Sequence, residues 1–436
     1  MQQGSDTRDL GWLQAIAAAV EPERVLARLD QLGVIGGQPS GGVTRIAFSQ
    51  EEREATDLVA SWMRDAGLTA SFDSFGNMFG ASDGNQPGAA VSMAGSHLDT
   101  VPNGGRFDGA LGVVAAVEGV LAMRSAGFTA PRPLEVVVWR CEEPVRFSQG
   151  KAGSLLFSGQ LAQRDLRPIE DPPLDIKEAL ARDGERPRRA DDRAVATCLE
   201  LHIEQGRRLE QAGRQVGVVT AVAAPTRLRI TIEGRADHSG ATPMQERHDA
   251  LCAAAEIVLE VERQAHLEAM HGTVATSANL TCLPGTMNVI PGEATLLVDI
   301  RGIDAASIVR LVDKLRLCGQ QIESARGVHI RTEVLSQGAP TLFDAAMVNV
   351  LKNAVQAIGY DPMLLASGAG HDTQCLAQLA DVGMLFVPSV GGVSHSPEEF
   401  THADDVIAGV RAMAACWALM SAYGEPASAR NGERPG

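Results

Sequence analysis

The run Leu134–Arg140, LEVVVWR, is apolar almost throughout and breaks at once into two adjacent carboxylates, Glu142 and Glu143. A strand without polar alternation must be buried on both faces, which means the interior of a largely parallel or mixed sheet covered by helices. A second strand-like run, Ala89–Gly95, leads directly into His97 and Asp99, and Gly112–Arg124 between the two runs has helix character. This strand–helix–strand rhythm predicts an α/β domain.

The rest of the chain can be laid out around that core. Leu13, Ile16, Ala17 and Val20, then Val25, Leu26, Leu29 and Leu32, recur at helical spacing. Ser49 with Glu51 and Glu52 marks a helix start, and Gly67 its stop. Residues 163–193 are charged and Pro-rich, as in a surface excursion with one short helix, and strand signals resume at Val216–Val222. A block with its own order follows: strand Leu228–Glu233, helix Asp249–Met270, strands Val274–Thr281 and Ala294–Ile300, helix Ala305–Ala325, strand Val328–Leu335. This βαββαβ order is that of a ferredoxin-like α+β unit. After Gly338 come a helix Ala345–Ile358, a strand Met384–Val387 and a closing helix from Asp404 to about Met420, then a tail, GEPASARNGERPG, expected to be disordered. The expected architecture is α/β: a catalytic domain of residues 1–222 and 338–436, with a mixed central sheet flanked by helices. It is interrupted at 223–337 by the ferredoxin-like α+β unit, a lid.

Composition narrows the partners. Lys plus Arg is 38 against 54 for Asp plus Glu, a formal charge of −16, which disfavours nucleic acid and anionic membranes. No apolar run reaches the roughly 18 residues of a membrane span, and the first residues lack the pattern of a secretory signal. Seven cysteines are scattered without a CxxC pair; Cys252, within DALCAAAEIV, is typical of those expected as buried thiols. The cytoplasm is the expected compartment.

Four polar constellations lie just past apolar runs or inside Gly-rich loops: GSHLDTVPNGGRFDG with His97, Asp99 and Asp108; CEEPVRF with Glu142 and Glu143; LHIEQG with His202 and Gln205; and SHSPEE with His395. Ligands in open α/β sheets bind beyond the carboxyl ends of strands, so these loops can converge on one crevice. Two adjacent carboxylates are costly to bury without compensation, and a pair of cations supplies it. Zn²⁺-like cations take imidazole nitrogen and carboxylate oxygen, and one carboxylate can bridge two of them. One glutamate of such a pair can then be a ligand while the other serves as a general base.

The motifs HLDTVPNGGRFDG, EE, LHIEQG, DHSGATPM, NVIP with DIR, SGAGHD and VPSVGGVSHSPEE occur in that order from about Ser49 to Leu419. In this the chain resembles the hydantoinase/carbamoylase amidohydrolases, of the superfamily of dinuclear zinc aminoacylases and dipeptidases. The resemblance implies that His97 and His202 hold one metal ion, Glu143 and His395 another, and that Asp108 bridges them. The two divalent ions per subunit would be Zn²⁺ first, with Mn²⁺, Co²⁺ or Ni²⁺ as alternatives. It implies that Asp99 orients His97 and that Glu142 is the general base. Gln205 would face the ureido or amide group of a small substrate. Asn288 and Arg301 in the lid, with Gly370 and His371, would bind the substrate carboxylate and leaving group. His238 would cross to the active site of a partner subunit in a homodimer formed through the lid, and polarise the scissile carbonyl. Without the resemblance, Arg301 reads as a surface ion pair with Asp299 or Asp304, and His238 as a turn residue bonded to Ser239. The implied activity is hydrolysis of an N-carbamoyl-L-amino acid, with allantoate amidohydrolase or β-ureidopropionase as alternatives. One departure stands out: Pro144 and Val145 follow the two glutamates where the family usually has Gly and a small residue.

Overall fold

The computed structural model describes residues 10–82, 89–169, 174–184, 186–187 and 194–423. The expected disordered tail lies outside these residues, as does part of the charged excursion. The chain forms two compact units, one of residues 1–220, 343–365 and 371–436, the other of residues 221–342 and 366–370.

The first unit is built on a mixed sheet flanked by helices. Val91–His97 lies between Leu134–Trp139 and Val195–Ile203, parallel to both, and Asp381–Val387 runs parallel to the far side of Val195–Ile203. These four strands therefore all end on the same edge. The antiparallel hairpin Leu68–Phe72 and Met78–Ser82 extends one side of the sheet, and Gly217–Val222 pairs antiparallel with Asp381–Val387 on the other. Every residue of Val91–His97, Leu134–Trp139 and Val195–Ile203 is buried, as helices on both faces of a sheet require.

The helices follow the same logic. Ala110–Ser125 is apolar nearly all round, and such a helix must be buried. Its one buried charge, Glu118, takes three hydrogen bonds from Arg24 at 2.7–3.0 Å and one from Arg28 at 2.7 Å. Ser49 caps Gln50–Asp65 by accepting the Glu52 N–H at 3.1 Å. Trp417, on the closing helix Ala403–Met420, donates to Ser92 on the strand Val91–His97.

The second unit contains a four-stranded antiparallel sheet in the order His329–Gln337, Ala224–Glu233, Glu293–Gly302, Val274–Leu283. Helices Ala250–Glu268 and Ala305–Arg326 cover one face, packing on Leu228, Ile230, Ile232, Leu296, Val298 and Ile300. Each helix is capped by an aspartate, Asp249 and Asp304, whose side chain accepts two backbone N–H groups. All seven cysteines are free thiols, four of them buried. Cys252 differs from the expectation: it is exposed, because Ala250, Ala253, Ala254 and Ile257 take the inward face of its helix.

Candidate metal centre

Loops leaving the carboxyl ends of the four parallel strands carry the polar motifs of the first unit to one place, the edge at which open α/β sheets bind ligands. Val91–His97 ends on His97, with Asp99 two residues on; Leu134–Trp139 runs on to Glu142 and Glu143; Val195–Ile203 carries His202 and leads to Gln205; and Asp381–Val387 leads to Ser394 and His395. Asp108 precedes the helix Ala110–Ser125. Between them Gly109 adopts φ +65°, and a Cβ there would stand 2.5 Å from the His97 ring.

The Asp108 carboxylate is the hub. His97 Nε2 and His202 Nε2 each stand 3.3 Å from its Oδ1. On the other side, His395 Nε2 lies 3.5 Å from Asp108 Oδ2 and 3.1 Å from Glu143 Oε1. The ligating atoms of His97, Asp108 and His202 fall within 4.8 Å of one another, and so do those of Asp108, Glu143 and His395.

The orientation of the rings is set from behind. His97 Nδ1 is 3.0 Å from the Asp99 carbonyl, and His202 Nδ1 is 3.0 Å from the Ile203 carbonyl. A carbonyl only accepts, so each Nδ1 carries hydrogen and each Nε2 is turned toward Asp108. His202 Nε2 also takes the Gly109 N–H at 3.3 Å, and an Nε2 lone pair turned toward a carboxylate oxygen is repelled unless positive charge, a proton or a metal cation, stands between them. The donor set therefore fits two divalent cations sharing one carboxylate, with imidazole nitrogen and carboxylate oxygen on each. The electrostatics of the site make the same demand for positive charge. Burial would lower the His97 imidazole, yet its bond to Asp108 and the charge of Glu142 raise it well above its ordinary value. Bonds to Asp108 and Glu143 push His395 up to about 10. Burial opposes ionisation of Asp108, but the charge of His202 and its bonds to His202, His395 and His97 hold it well below the usual carboxylate range.

Glu200, His202 and His371 form a third close group, of another kind. Glu200 Oε1 accepts the Ser96 hydroxyl at 2.7 Å and Oε2 accepts the Thr373 N–H at 3.0 Å, so both its oxygens are committed within the chain. His371 packs edge-on against His202 with ring centroids 4.6 Å apart. Burial, and next the charge of His202, keep it neutral, well below the ordinary imidazole value.

Asp99 divides its work in a way the motif does not reveal. Its carbonyl orients His97, while its carboxylate lies 3.9 Å from that ring and accepts the N–H groups of Glu142 at 3.2 Å and Glu143 at 3.0 Å. Glu142, half-buried, is held at both ends of its peptide unit, because its carbonyl accepts the Lys151 N–H at 2.7 Å. Asp99→Asn, which turns an amide NH₂ toward one of those two N–H groups, is expected to lower metal affinity or turnover about 10–100-fold with the fold retained. Metal titration beside a far-UV spectrum checks this; unchanged affinity would mean the glutamate loop is held without Asp99.

Gln205 donates from Nε2 to Asp108 Oδ2 at 2.7 Å, while its Oε1 is buried without a partner. Cys141, Gln205 and His395 have φ of 61°, 57° and 55°. Non-glycine residues in this region store about 1–3 kcal/mol each, and such strain gathers at functional sites. Pro144 is exposed and donates no hydrogen bond, and the loop still closes through Val145 N–H to the Glu143 carbonyl at 2.8 Å.

The first unit thus groups His97, Asp99, Asp108, Glu142, Glu143, His202, Gln205, His371 and His395. The remaining candidates, His238, Asn288, Arg301 and Gly370, belong to the second unit. His238 is exposed, and its Nδ1 accepts the N–H groups of Gly240 and Ala241 at 3.0 and 3.1 Å, which leaves hydrogen on Nε2. Its strand neighbour is Val289, next to Asn288, whose carbonyl accepts the Ser239 N–H at 3.1 Å. The Arg301 fork reaches both oxygens of Asp299, at 3.2 and 3.4 Å, and the Gly368 carbonyl at 3.3 Å, two residues before Gly370. Four groups at the first unit's site lie outside the set expected from sequence: Glu200, Lys151, Ser394 and Glu399. Ser394 and Glu399 open and close the motif SHSPEE; Lys151 had no signal at all.

Known proteins resemble the chain along nearly its whole length. The pattern of peptidase family M20/M25/M40 matches residues 93–418. An N-carbamoyl-L-amino acid amidohydrolase from Geobacillus stearothermophilus is 41% identical over 399 residues, covering 90% of this chain and 97% of that protein. A ureidoglycolate hydrolase from Arabidopsis thaliana is 33% identical over 419 residues, covering 93% and 88%. Among solved structures, a hydantoinase/carbamoylase family amidase from Burkholderia multivorans matches with a TM-score of 0.86 at 33% identity, covering 93% of this chain and 99% of that one.

Proposed function

The chain belongs to peptidase family M20/M25/M40, and from that premise we propose that it hydrolyses the carbamoyl C–N bond of an N-carbamoyl-L-amino acid, giving the amino acid, CO₂ and ammonia. The observation that carries this reading is the Asp108 carboxylate shared by two sets of imidazole and carboxylate donors, with Glu142 held beside them by Asp99. When bound, two divalent cations supply Lewis acidity and bring the pKa of a water toward about 7. Zn²⁺ suits the mixed nitrogen and oxygen donors best, with Mn²⁺, Co²⁺ and Ni²⁺ as alternatives.

The chain's own groups do the rest. Glu142 takes a proton from the attacking water as its oxygen joins the carbamoyl carbon. It then returns that proton to the departing nitrogen, and the released carbamate falls to CO₂ and ammonia. Gln205 Oε1, buried and unpartnered, accepts an N–H of the ureido group. His238 presents an Nε2–H suited to a developing oxyanion. Arg301, with its side chain 39% exposed and its fork squared by Asp299, takes the substrate carboxylate, alongside Asn288, Gly370 and His371. Arg301→Ala is expected to raise KM about 100-fold, the loss of one charge-assisted bidentate contact. If the amide analogue of the best substrate were cleaved as well as the acid, that role would be wrong.

Assembly as a homodimer through the second unit completes the reading. The edge strand Val274–Leu283 pairs on one side only and exposes Val274, Leu280 and Leu283, a surface that invites a second strand. His238 then serves the neighbouring subunit, so mixing His238→Ala with Glu142→Gln protein is expected to restore up to about half the activity of a wild-type dimer in each heterodimer. No recovery in heterodimers shown to form would confine His238 to its own subunit. The free cysteines suit a reducing, cytoplasmic setting. Among the described residues no helix is long and apolar enough to cross a membrane.

Allantoate is the second candidate substrate, since allantoate deiminase 1 of Glycine max is 34% identical over 440 residues; N-carbamoyl-β-alanine is a third. The deciding experiment is ammonia release from a panel of N-carbamoyl amino acids, allantoate and N-carbamoyl-β-alanine, with enzyme reconstituted in turn with each metal. Cleavage of dipeptides but of no ureido compound would overturn the proposal.

A further inference from the structure

Glu399 closes the motif SHSPEE, is only 3% exposed, and belongs to neither set of donors around Asp108. Its Oε1 accepts the N–H groups of Phe107 at 2.9 Å and Asp108 at 3.1 Å, across nearly 300 residues of sequence. Its Oε2 accepts the Ser394 hydroxyl at 3.0 Å, and that hydroxyl is also 3.1 Å from Asp108 Oδ2. Space for the carboxylate is made by Gly105, where a Cβ would come within 1.9 Å of Glu399 Cδ. One buried side chain therefore grips the backbone that aims Asp108 and, through Ser394, the residue before His395.

Asp108 and His395 come from opposite ends of the chain, and His395 sits in a backbone conformation that its neighbours must impose, with φ +55°. Within each loop, short-range hydrogen bonds set only local shape. Of the contacts that join the two loops, those of Glu399 are the ones made to backbone N–H groups, which hold the Asp108 peptide at a fixed distance from the His395 loop. We infer that Glu399 is the positioning residue that sets the span between Asp108 and His395, acting as a strut and not as a ligand. The inference rests on the dinuclear reading above, which places both residues at one cation.

Its parts make distinct demands. A glutamine keeps the strut: its carbonyl accepts the two N–H groups, and its NH₂ donates to the Ser394 oxygen, whose hydrogen then turns to Asp108. An alanine leaves the two N–H groups without an acceptor. The test is titration of the metal-free full-length chain with Co²⁺, read by visible absorption and by competition with a chelating dye, with far-UV circular dichroism alongside. For Glu399→Ala we expect one of the two Co²⁺ equivalents to weaken about 10–100-fold, with an altered visible spectrum. For Glu399→Gln the same equivalent should stay within a few-fold of the unmodified chain. If Glu399→Ala does not fold, Ser394→Ala carries the test, since it removes the hydroxyl bridge and leaves both N–H contacts; the same equivalent should weaken several-fold. Normal binding in the folded alanine variant overturns the inference, and so does a glutamine variant as impaired as alanine, which would make the charge the active part. If the unmodified chain binds no second Co²⁺, the dinuclear reading itself fails, an outcome distinct from normal binding by the variants.

Discussion

Glu142→Gln is expected to lower kcat by about 10²–10⁴-fold, the contribution of a positioned general base, while the protein keeps two metal ions per subunit. The neighbouring glutamates have different surroundings. Glu143 Oε1 lies against His395 Nε2 within a group of candidate ligands, whereas Glu142 belongs to no such group. The Glu142 carboxyl is pushed well above its ordinary value by burial, against the attraction of His97, and Glu143 and Asp372 push it further. As the general base it would hold a proton between its removal from water and its delivery to the leaving nitrogen. Glutamine has the same shape and cannot carry that proton. Glu143→Ala should instead lose a metal. Metal analysis and steady-state rates on both variants check the assignment: a Glu142→Gln protein depleted of metal, or one with turnover within tenfold of normal, would sink it.

Asp108→Ala should go further and abolish both metal binding and activity, because each set of donors loses the carboxylate it shares with the other. Thermal unfolding gives an independent reading. A ligand that binds only the folded state adds RT ln(1 + [L]/Kd), about 4 kcal/mol when present at a thousand times its Kd. The unmodified chain should therefore unfold several degrees lower in a strong chelator than in excess Zn²⁺. Asp108→Ala should unfold at nearly the same temperature in both. A variant that still gains stability from the metal would show that the imidazoles and Glu143 suffice without a shared carboxylate.

Much of the fold is legible in the sequence where apolar runs end abruptly in charge. LEVVVWR reads as a strand buried on both faces and forms one, and the βαββαβ order of the second unit follows from alternating hydrophobicity and aspartate caps. The strand Val195–Ile203 lies ahead of Val216–Val222, where strand signals resume in the sequence, because Thr197, Glu200 and His202 interrupt its apolar run. Those groups are buried at no great cost only because partners far away in sequence satisfy them: Ser92 for Thr197, and Ser96 and Thr373 for Glu200. The hairpin Leu68–Phe72 and Met78–Ser82 is less legible in the sequence, because its turn is held by one side chain, Asp73, whose Oδ1 accepts three N–H groups. At the site, His and carboxylate motifs stand out because such groups are rare at strand ends. What Asp99 and Glu399 hold is hidden, because a carboxylate serving backbone N–H groups looks the same in a sequence as one that faces solvent. His402 stands at the N-cap position of the closing helix, yet its side chain makes no capping bond.

The place of Asp381–Val387 within the first unit's sheet has a consequence for how the chain can be made. This strand lies between Val195–Ile203 and Gly217–Val222, not at an edge. A ribosome finishes Ile203 some 184 residues before Val387 (387 − 203), which at ~5–20 residues per second is a delay of roughly 10–40 s. Throughout that interval the nascent sheet has an open slot beside a strand whose nine residues are all buried in the finished protein. Unpaired edges of this kind template the wrong partner, so the emerging chain should depend on holding chaperones until roughly the last eighth of translation, when residues 381–387 of 436 are made. Release of chains halted before residue 381 should yield aggregates, not a smaller folded protein. A nonsense mutation late in the gene would leave a sheet with its middle missing.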